Sequence, residues 1–244
     1  MALSSARTAN KNMSKRSKRY QKAAELVEED KQYALQDAVE LIKKFPAPKF
    51  DPTVTLSFNL GVDPRKSDQM VRGSVALPHG TGKSVRVVVF ATGDAAKAAE
   101  AAGADEVGMA DLIKKVQEGY TDFDAAIATP DAMLEVRKIA RVLGPRGLMP
   151  NPKTGTVTDD TAAAVNAVKA GRIDYKLDKN GNVSAAIGKA SFSEEQLTAN
   201  TSALIESVVK AKPASAKGNY IRNVTLAASM CPGVALESSI YATN

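Results

Sequence analysis

The sequence contains very few of the residues from which disulfides and metal sites are built. Its one cysteine, Cys231, cannot form an internal disulfide, and together with its one histidine, His79, it cannot build a cysteine/histidine metal site. No apolar run approaches the roughly 20 residues that a membrane-spanning helix needs, and the first twenty residues are polar and basic. We therefore expect a cytoplasmic protein with no metal, no cofactor and no membrane association.

Charge is distributed unevenly along the 244 residues, of which 44% are apolar, enough for one large or two modest domains. The net charge is +6, but residues 1–22 alone carry seven basic side chains and no acid, so the remainder is close to neutral. This basic segment is either a solvated, disordered arm or an arm that binds RNA phosphates. Its basic residues are Arg7, Lys11, Lys15, Arg16, Lys18, Arg19 and Lys22.

The chain before position 80 is predicted to form two short helices and a strand. Apolar residues recur at helical spacing up to about Phe45, where two prolines end the pattern. Between positions 53 and 60 apolar and polar residues alternate strictly, which is the period of a strand with one buried face.

The middle of the chain has the pattern of successive βα units. Residues 85–91 form a nearly continuous β-branched run, typical of the centre of a parallel sheet. Further strands are predicted near 106–107 and at 125–129, and helices at 94–102, 110–117 and 131–142. These units predict a small Rossmann-like layer structure.

After Gly171 the pattern becomes antiparallel again. Strands are predicted at 172–177 and 183–187 around the turn 178–181, followed by a helix at 194–210 and strands at 220–228 and 234–241. We therefore predict an α+β outer domain, an antiparallel sheet with helices, made of residues 1–80 plus 171–244, with residues 1–18 as its basic tail. An inserted Rossmann-like α/β domain comprises residues 81–170, and Gly80 and Gly171 are the candidate hinges.

The segment Gly80-Thr-Gly-Lys83-Ser84 resembles the end of a phosphate-binding P-loop, but the match is incomplete. The first glycine of that pattern would fall at Leu77, and the segment leads into a strand instead of opening a helix. An interdomain crossing is the better interpretation. A small nucleotide-binding enzyme that uses the inserted domain is the alternative hypothesis.

A second unusual stretch, residues 143–155, contains three prolines and three glycines and carries Arg146 and Lys153. Such a loop should have one defined shape. It either closes the inserted domain or contacts nucleic acid, and the sequence favours neither. His79 has no recognisable serine or cysteine partner, and we predict no catalytic residues.

A polar sheet face is the more informative feature of the outer domain. If the alternation holds, the side chains of 53, 55, 57 and 59 point away from the core, and Asn223, Thr225 and Ser229 share one parity on a later strand. Short hydroxyl and amide groups suit the shallow minor groove of RNA, which displays 2′-hydroxyls and base edges. Taken alone, this pattern also fits an ordinary solvated sheet face.

Several stretches together resemble the L-one family of large-subunit ribosomal proteins, bacterial type, which form the mobile stalk beside the tRNA exit site. They are Lys49-Phe-Asp-Pro-Thr-Val54, Gly61-Val-Asp-Pro-Arg-Lys-Ser-Asp-Gln69, Val71-Arg-Gly73 to Gly80, Asp122-Phe-Asp124 to Asp131, Leu143 to Thr158, Gly188-Lys-Ala-Ser-Phe192, and Lys217-Gly218 to Tyr220. The resemblance runs from about Lys18 to Leu236.

This resemblance implies the two-domain fold and a non-enzymatic ribosomal protein that is monomeric when free. It also implies binding to the stalk of large-subunit ribosomal RNA, help in releasing deacylated tRNA from the exit site, and repression of the protein's own messenger RNA at an rRNA-like site. By matching position, the implied RNA contacts are Lys49, Phe50, Thr53, Lys176, Lys189, Asn223, Ser229 and Met230. For Phe50 and Met230, packing in the core is the alternative interpretation.

The sequence departs from the usual family residues at or beside three of the implied contacts. Ser229-Met-Cys231-Pro232 stands where the family usually has Thr-Met-Gly-Pro, Asn223 where it commonly has serine, and Pro52 where it has an acidic residue. We expect cysteine in place of glycine to add a side chain near the RNA and to restrict φ.

Overall fold

The computed structural model describes residues 16–28, 31–216 and 218–238, apart from the side chain of Lys153. Most of the basic segment, residues 1–15, lies outside the described residues. The α-helices are α1 (Lys18–Ala24), α2 (Leu35–Lys44), α3 (Asp94–Ala101), α4 (Ala110–Gln117), α5 (Met133–Val136), α6 (Ala140–Leu143), α7 (Thr161–Lys169) and α8 (Glu194–Lys210). The strands are β1 (Thr53–Leu60), β2 (Arg72–Ala76), β3 (Val87–Phe90), β4 (Glu106–Gly108), β5 (Ala125–Ala128), β6 (Arg172–Lys176), β7 (Asn182–Lys189), β8 (Ile221–Ala228) and β9 (Gly233–Leu236).

Four antiparallel strands form the largest sheet, in the order β7-β1-β8-β9. The alternation predicted for β1 is confirmed, because every second residue from Val54 to Leu60 is buried. Helices α2 and α8 pack against the apolar side of this sheet, and the helix predicted at 194–210 is confirmed. A reciprocal capping box between Ser193 and Gln196 starts α8 by satisfying backbone N–H groups at its first turn.

The βα pattern of the middle of the chain is also confirmed. Strands β4, β3 and β5 form a parallel sheet, and all four residues of the central strand β3 are buried. One buried apolar cluster lies between this sheet and helices α4, α5 and α6, and a second lies between the sheet and helices α3 and α7. A β-branched central strand is therefore covered on both faces, as its composition predicts.

These two apolar clusters are separate from the cluster under the antiparallel sheet. The cluster under the antiparallel sheet draws its buried members from positions 23–71 and 175–236, whereas the other two draw theirs from positions 87–168. The chain therefore leaves one core, builds two clusters around a parallel sheet, and returns to the first core.

The two places where the chain passes between these cores lie side by side. Gly80 has a φ of +65° and Gly171 a φ of +101°, a region that residues with a Cβ rarely adopt. A Cβ on Gly171 would lie 2.3 Å from the Cα of Gly80, so only glycine fits there. The buried Asn200 side chain of α8 fastens the first crossing: its Oδ1 accepts from the His79 N–H at 3.1 Å, and its Nδ2 donates to the carbonyl oxygens of Gly80 at 2.9 Å and Ile187 at 2.7 Å.

Three details differ from the sequence prediction. Strand β6 does not pair with β7 across the turn at 178–181; it pairs antiparallel with β2 in a separate two-stranded sheet. The single helix predicted at 131–142 is instead α5 and α6 joined by a 3-10 segment, Arg137–Ile139. Strand β9 ends at Leu236, and the part of the predicted strand after position 238 lies outside the described residues.

Candidate nucleic-acid interface

The side of the antiparallel sheet that faces away from α2 and α8 is lined with neutral polar side chains. Strand register places Ser57 beside Ser184 and Thr225. The same register places Asn59 beside Asn182 and Asn223. This surface, which we call the polar face, is formed by Thr53, Thr55, Ser57 and Asn59 of β1, Asn182 and Ser184 of β7, and Asn223, Thr225 and Ser229 of β8 and the turn that follows it. All nine are half-buried or exposed, as the sequence predicts for those of β1 and β8.

Hydrogen bonds between neighbouring strands hold several of these side chains in place. The hydroxyls of Ser57 and Ser184 lie 2.9 Å apart, and the Asn59 Nδ2 donates to the Asn182 Oδ1 at 2.8 Å. A hydroxyl has one donor and two acceptor sites, and an amide has two donors and two acceptor sites, so one such bond leaves further capacity on each group. The polar face therefore offers oriented donors and acceptors without net charge.

Three of the predicted RNA contacts meet at one end of the polar face. The Lys189 Nζ donates to the Thr53 Oγ1 at 3.2 Å, and Thr53 and Lys189 are partners in the strand register. The Ser229 N–H and Oγ both donate to the Thr53 carbonyl oxygen, at 3.0 and 3.2 Å. Residues that are far apart in the sequence thus form one cluster that joins an ammonium group to two hydroxyls.

The apolar members of the predicted set are on the surface. Phe50 is 50% exposed and Met230 is 68% exposed, so the alternative that they pack in the core is wrong for both. Lys49 is exposed as well. Phe50 and Cys231 line a groove of about 510 Å³ beside the same end of the polar face. The exposed aromatic ring of Phe50 beside Lys49 and the exposed thioether of Met230 are suited to packing on a sugar or a base.

The turn after β8 differs from the sequence expectation. The Cys231 N–H donates to the Ala228 carbonyl oxygen at 3.0 Å, which closes a tight turn. Within the described chain, Met230 is the non-glycine residue with a positive φ, at +61°, and Cys231 is not in that region. Position 231 therefore does not need the conformational freedom of glycine, and the residue of this turn in the left-handed region is Met230. Burial raises the pKa of the Cys231 thiol, which favours the neutral form.

The other two predicted contacts lie apart from this cluster. Asn223 pairs with Asn59, six residues along β1 from Thr53, a separation of about 20 Å at the usual rise of a strand. Lys176 is exposed and pairs with Arg72 in the two-stranded sheet, not in the four-stranded one. The predicted set therefore outlines an elongated surface over two sheets, not a single pocket.

A cleft of about 360 Å³ separates the Thr53 end of the polar face from the parallel-sheet region. Thr53, Ala186 and Lys189 line one side of the cleft, and Gly147 and Thr156 are among the residues that line the other. The side chains at this end are therefore directed into an open cleft and are not turned into either core.

The P-loop-like segment does not form a phosphate cradle. It continues into β3, and the Lys83 ammonium group forms an ion pair with the Asp124 carboxylate. The hydrogen bond from Lys83 within this ion pair holds the pKa of the Asp124 carboxyl below its usual value. Because Lys83 is engaged by a carboxylate, the segment fits an interdomain crossing better than a nucleotide-binding loop.

The proline- and glycine-rich loop at 143–155 has a structural role. The Asn151 N–H donates to the Thr156 Oγ1 at 2.8 Å, and the Thr154 Oγ1 donates to the Asn151 carbonyl oxygen at 3.1 Å. Just after the loop, Val157 forms a parallel bridge with Ala128 at the edge of the parallel sheet. The loop thus closes this region, as one of the two interpretations predicts, while the contact of Arg146 or Lys153 with nucleic acid stays a prediction.

Metal binding and membrane crossing find no support in the part of the chain that the structure describes. Among residues 16–28, 31–216 and 218–238, no three Cys, His, Asp or Glu residues are grouped so that they could hold a metal ion. Over the same ranges, no helix combines the length and the apolar character that crossing a bilayer requires.

Comparison with known proteins identifies the family to which the chain belongs. A family model described as Ribosomal protein L1p/L10e family matches residues 42–232. A curated relative, the large ribosomal subunit protein uL1 of Saccharopolyspora erythraea, is 57% identical over 225 residues, which cover 92% of this chain and 94% of the relative. The chain belongs to the L1p/L10e family of ribosomal proteins, with a bacterial-type relative. It is a structural, non-enzymatic component of the ribosome, and its place is the cytoplasm.

Proposed function

We propose that the polar face binds the helical stalk of large-subunit ribosomal RNA near the tRNA exit site. The observation that carries this proposal is the register of β7, β1 and β8, which aligns neutral hydroxyl and amide groups in rows across three strands. The family and the name of the curated relative support the assignment to the large subunit.

The chemistry of the surface supports RNA in preference to a protein or a membrane. The wide minor groove of an RNA helix presents 2′-hydroxyls and base edges, which neutral hydroxyl and amide groups can reach. Lysines at the margin, Lys49 and Lys189, would meet phosphates, which fix position without reading sequence. Phe50 and Met230 would pack on ribose at the end of the face, where both are exposed.

We further propose that the chain forms two domains. The outer domain comprises residues 1–80 and 171–244, and the inserted domain comprises residues 81–170, with Gly80 and Gly171 as hinges. The separate apolar clusters and the adjacent crossings support this division. In this arrangement the inserted domain pivots at the crossings while the outer domain holds the RNA.

Two finer roles follow from the resemblance to the family. The inserted domain would border the exit-site tRNA and assist release of the deacylated molecule. The same polar face would bind an rRNA-like site in the protein's own messenger and repress its translation. Both roles need a surface that recognises a folded RNA shape.

Equilibrium binding to stalk RNA tests the proposed surface. Ser229→Ala removes a hydroxyl at the Thr53 cluster, and we expect binding to weaken by roughly 1 kcal/mol or more, the usual value of one satisfied hydrogen bond. Ser202→Ala, on α8 behind the sheet, is the matched control and should leave affinity unchanged. Wild-type affinity in Ser229→Ala would remove Ser229 from the site.

The RNA control decides whether the face recognises a folded RNA at all. Stalk RNA should bind more tightly than a scrambled RNA of the same length and composition, and its affinity should fall as salt rises because phosphate contacts release counterions. Equal affinity for both RNAs would refute the proposal of a specific stalk site.

A further inference from the structure

One residue of the basic segment makes a specific contact instead of facing solvent. The Arg19 Nη2 donates a hydrogen bond to the carbonyl oxygen of Met230 at 3.2 Å, across 211 positions of sequence. Arg19 is half-buried, and its Nη1 is buried with no hydrogen-bond partner among the described residues. The guanidinium group of α1 therefore packs on the turn between β8 and β9.

This turn has a conformation that needs support. A φ of +61° places the Met230 Cβ close to the following carbonyl, which disfavours this conformation for every residue except glycine. The Met230 side chain is 68% exposed, so packing of the side chain contributes little to holding the turn. The Arg19 hydrogen bond instead acts on the backbone, at the carbonyl group of the strained residue.

The same turn carries two of the residues implied to contact RNA. Ser229 is fastened to Thr53 through its N–H and its hydroxyl, and Met230 follows directly. If the φ of Met230 left the left-handed region, the Met230 side chain would point in another direction relative to Ser229 and the turn would open. The conformation of this turn therefore matters for any RNA that lies on this end of the polar face.

We propose that Arg19 is a positioning residue that holds the Ser229–Met230 turn in the conformation that binds RNA. This inference rests on the proposed function of the polar face. It assigns to Arg19 a role different from that of the other basic residues of the segment, because its guanidinium acts on a backbone carbonyl of the protein and not on an RNA phosphate.

The first test compares two charge-removing substitutions in the full chain. Arg19→Gln should weaken binding to stalk RNA about tenfold, equivalent to ~1.4 kcal/mol. Arg16→Gln is the matched control: Arg16 lies 4.7 Å above the ring of Tyr20 and is exposed, so its loss should change affinity by about twofold or less at physiological salt. Equal effects of the two substitutions would overturn the proposal.

The dependence of affinity on salt separates positioning from direct contact. Loss of a phosphate contact lowers the slope of log affinity against log salt by about 0.9. A positioning residue leaves this slope unchanged while the affinity falls. The loss of RNA affinity caused by Arg19→Gln should also shrink to about threefold or less when Met230 is replaced by glycine, because glycine adopts a positive φ without support from Arg19. A reduced slope, or a full cost in the Met230→Gly background, would show that Arg19 acts on the RNA itself.

A measurement without RNA keeps this inference distinct from the proposed function. Hydrogen exchange at the Cys231 amide, which donates to Ala228, reports whether the turn is closed. Arg19→Gln should speed this exchange at least about fivefold, because the brace on the adjacent carbonyl is lost, and Arg16→Gln should not. If the Cys231 amide exchanges as slowly in Arg19→Gln as in the wild type, Arg19 does not hold the turn closed and this inference is overturned. If the wild-type protein does not prefer stalk RNA, only the proposed function is overturned. If Arg19→Gln does not fold, Arg19→Lys gives the same test, because lysine keeps the charge but not the guanidinium fork.

Discussion

Replacement of Asn200 by alanine tests how the first crossing is fastened to the antiparallel sheet. The Asn200 side chain is fully buried, and its amide makes three hydrogen bonds to backbone groups of His79, Gly80 and Ile187. The substitution therefore leaves one N–H and two carbonyl groups without this partner.

The magnitude follows from the number of groups left unsatisfied. A buried donor or acceptor without a partner costs about 1–3 kcal/mol, and a typical hydrogen bond contributes about 1 kcal/mol net. The bond to Ile187 is buried, whereas those to His79 and Gly80 are half-buried and water can replace part of what is lost there, so the expected loss is about 2–3 kcal/mol in the free energy of unfolding. Such a loss is a large part of the roughly 5–15 kcal/mol that stabilises a folded protein.

Urea unfolding followed by far-ultraviolet circular dichroism measures this loss. Asn166→Ala is the control, because Asn166 is exposed on α7 and such surface substitutions usually change stability by about 0.5 kcal/mol or less. Hydrogen exchange at the His79 amide should also accelerate in Asn200→Ala. A loss of stability below about 1 kcal/mol, with His79 still protected, would refute the role of Asn200 in fastening the crossing.

Two further predictions concern the crossings and the response to acid. Gly171→Ala should destabilise the protein by about 2 kcal/mol or more, because the alanine would need a positive φ and its Cβ would meet the Gly80 backbone; an unchanged urea midpoint would contradict this packing. Asp124 has a lowered pKa in the folded protein, so its pair with Lys83 contributes stability above about pH 4 that is lost as pH falls through the lowered pKa. Between pH 4 and 2, Asp124→Asn should therefore lose less stability than the wild type. The difference should be below about 1 kcal/mol, because both side chains of the pair are partly exposed. Identical acid unfolding curves for the two proteins would contradict a stabilising Lys83–Asp124 pair.

Local periodicity predicts most of the helices and strands of this protein. The alternation in β1 and the β-branched run of β3 are decided by residues close in sequence, and each strand forms where its pattern predicts. Helix α8 likewise spans the predicted residues 194–210. Helix α7 is absent from the sequence prediction. Its signal is Asp160 followed by an alanine-rich run, and the Asp160 side chain accepts from the Ala163 N–H at 2.9 Å.

Pairing between distant strands is what the sequence could not supply. The turn at 178–181 joins β6 to β7 along the chain, yet β6 pairs with β2, about one hundred residues earlier. Such pairing depends on which edges are free after the cores have formed, and no short-range pattern records it. The left-handed conformation of Met230 is of the same kind, because a bulky residue has no local preference for it and distant contacts hold it there.

The candidate site could be predicted in its chemistry better than in its shape. The parity of Ser57 and Asn223 along their strands predicts that they avoid the core, and the structure confirms this. The register that sets Asn59 between Asn182 and Asn223, and the cluster at Thr53, appear only after three strands have paired.

A map of the backbone amides that respond to stalk RNA tests most directly whether the polar face binds it. Two-dimensional NMR spectra of the labelled full chain, with and without stalk RNA, report each backbone amide separately. If the polar face binds the RNA, the affected amides are those of β7, β1, β8 and the turn at Ser229 and Met230, whereas amides of α8 behind the sheet remain unchanged. Changes confined to α8 or to the parallel-sheet region, with the polar face unaffected, would contradict the claim that this face binds the RNA.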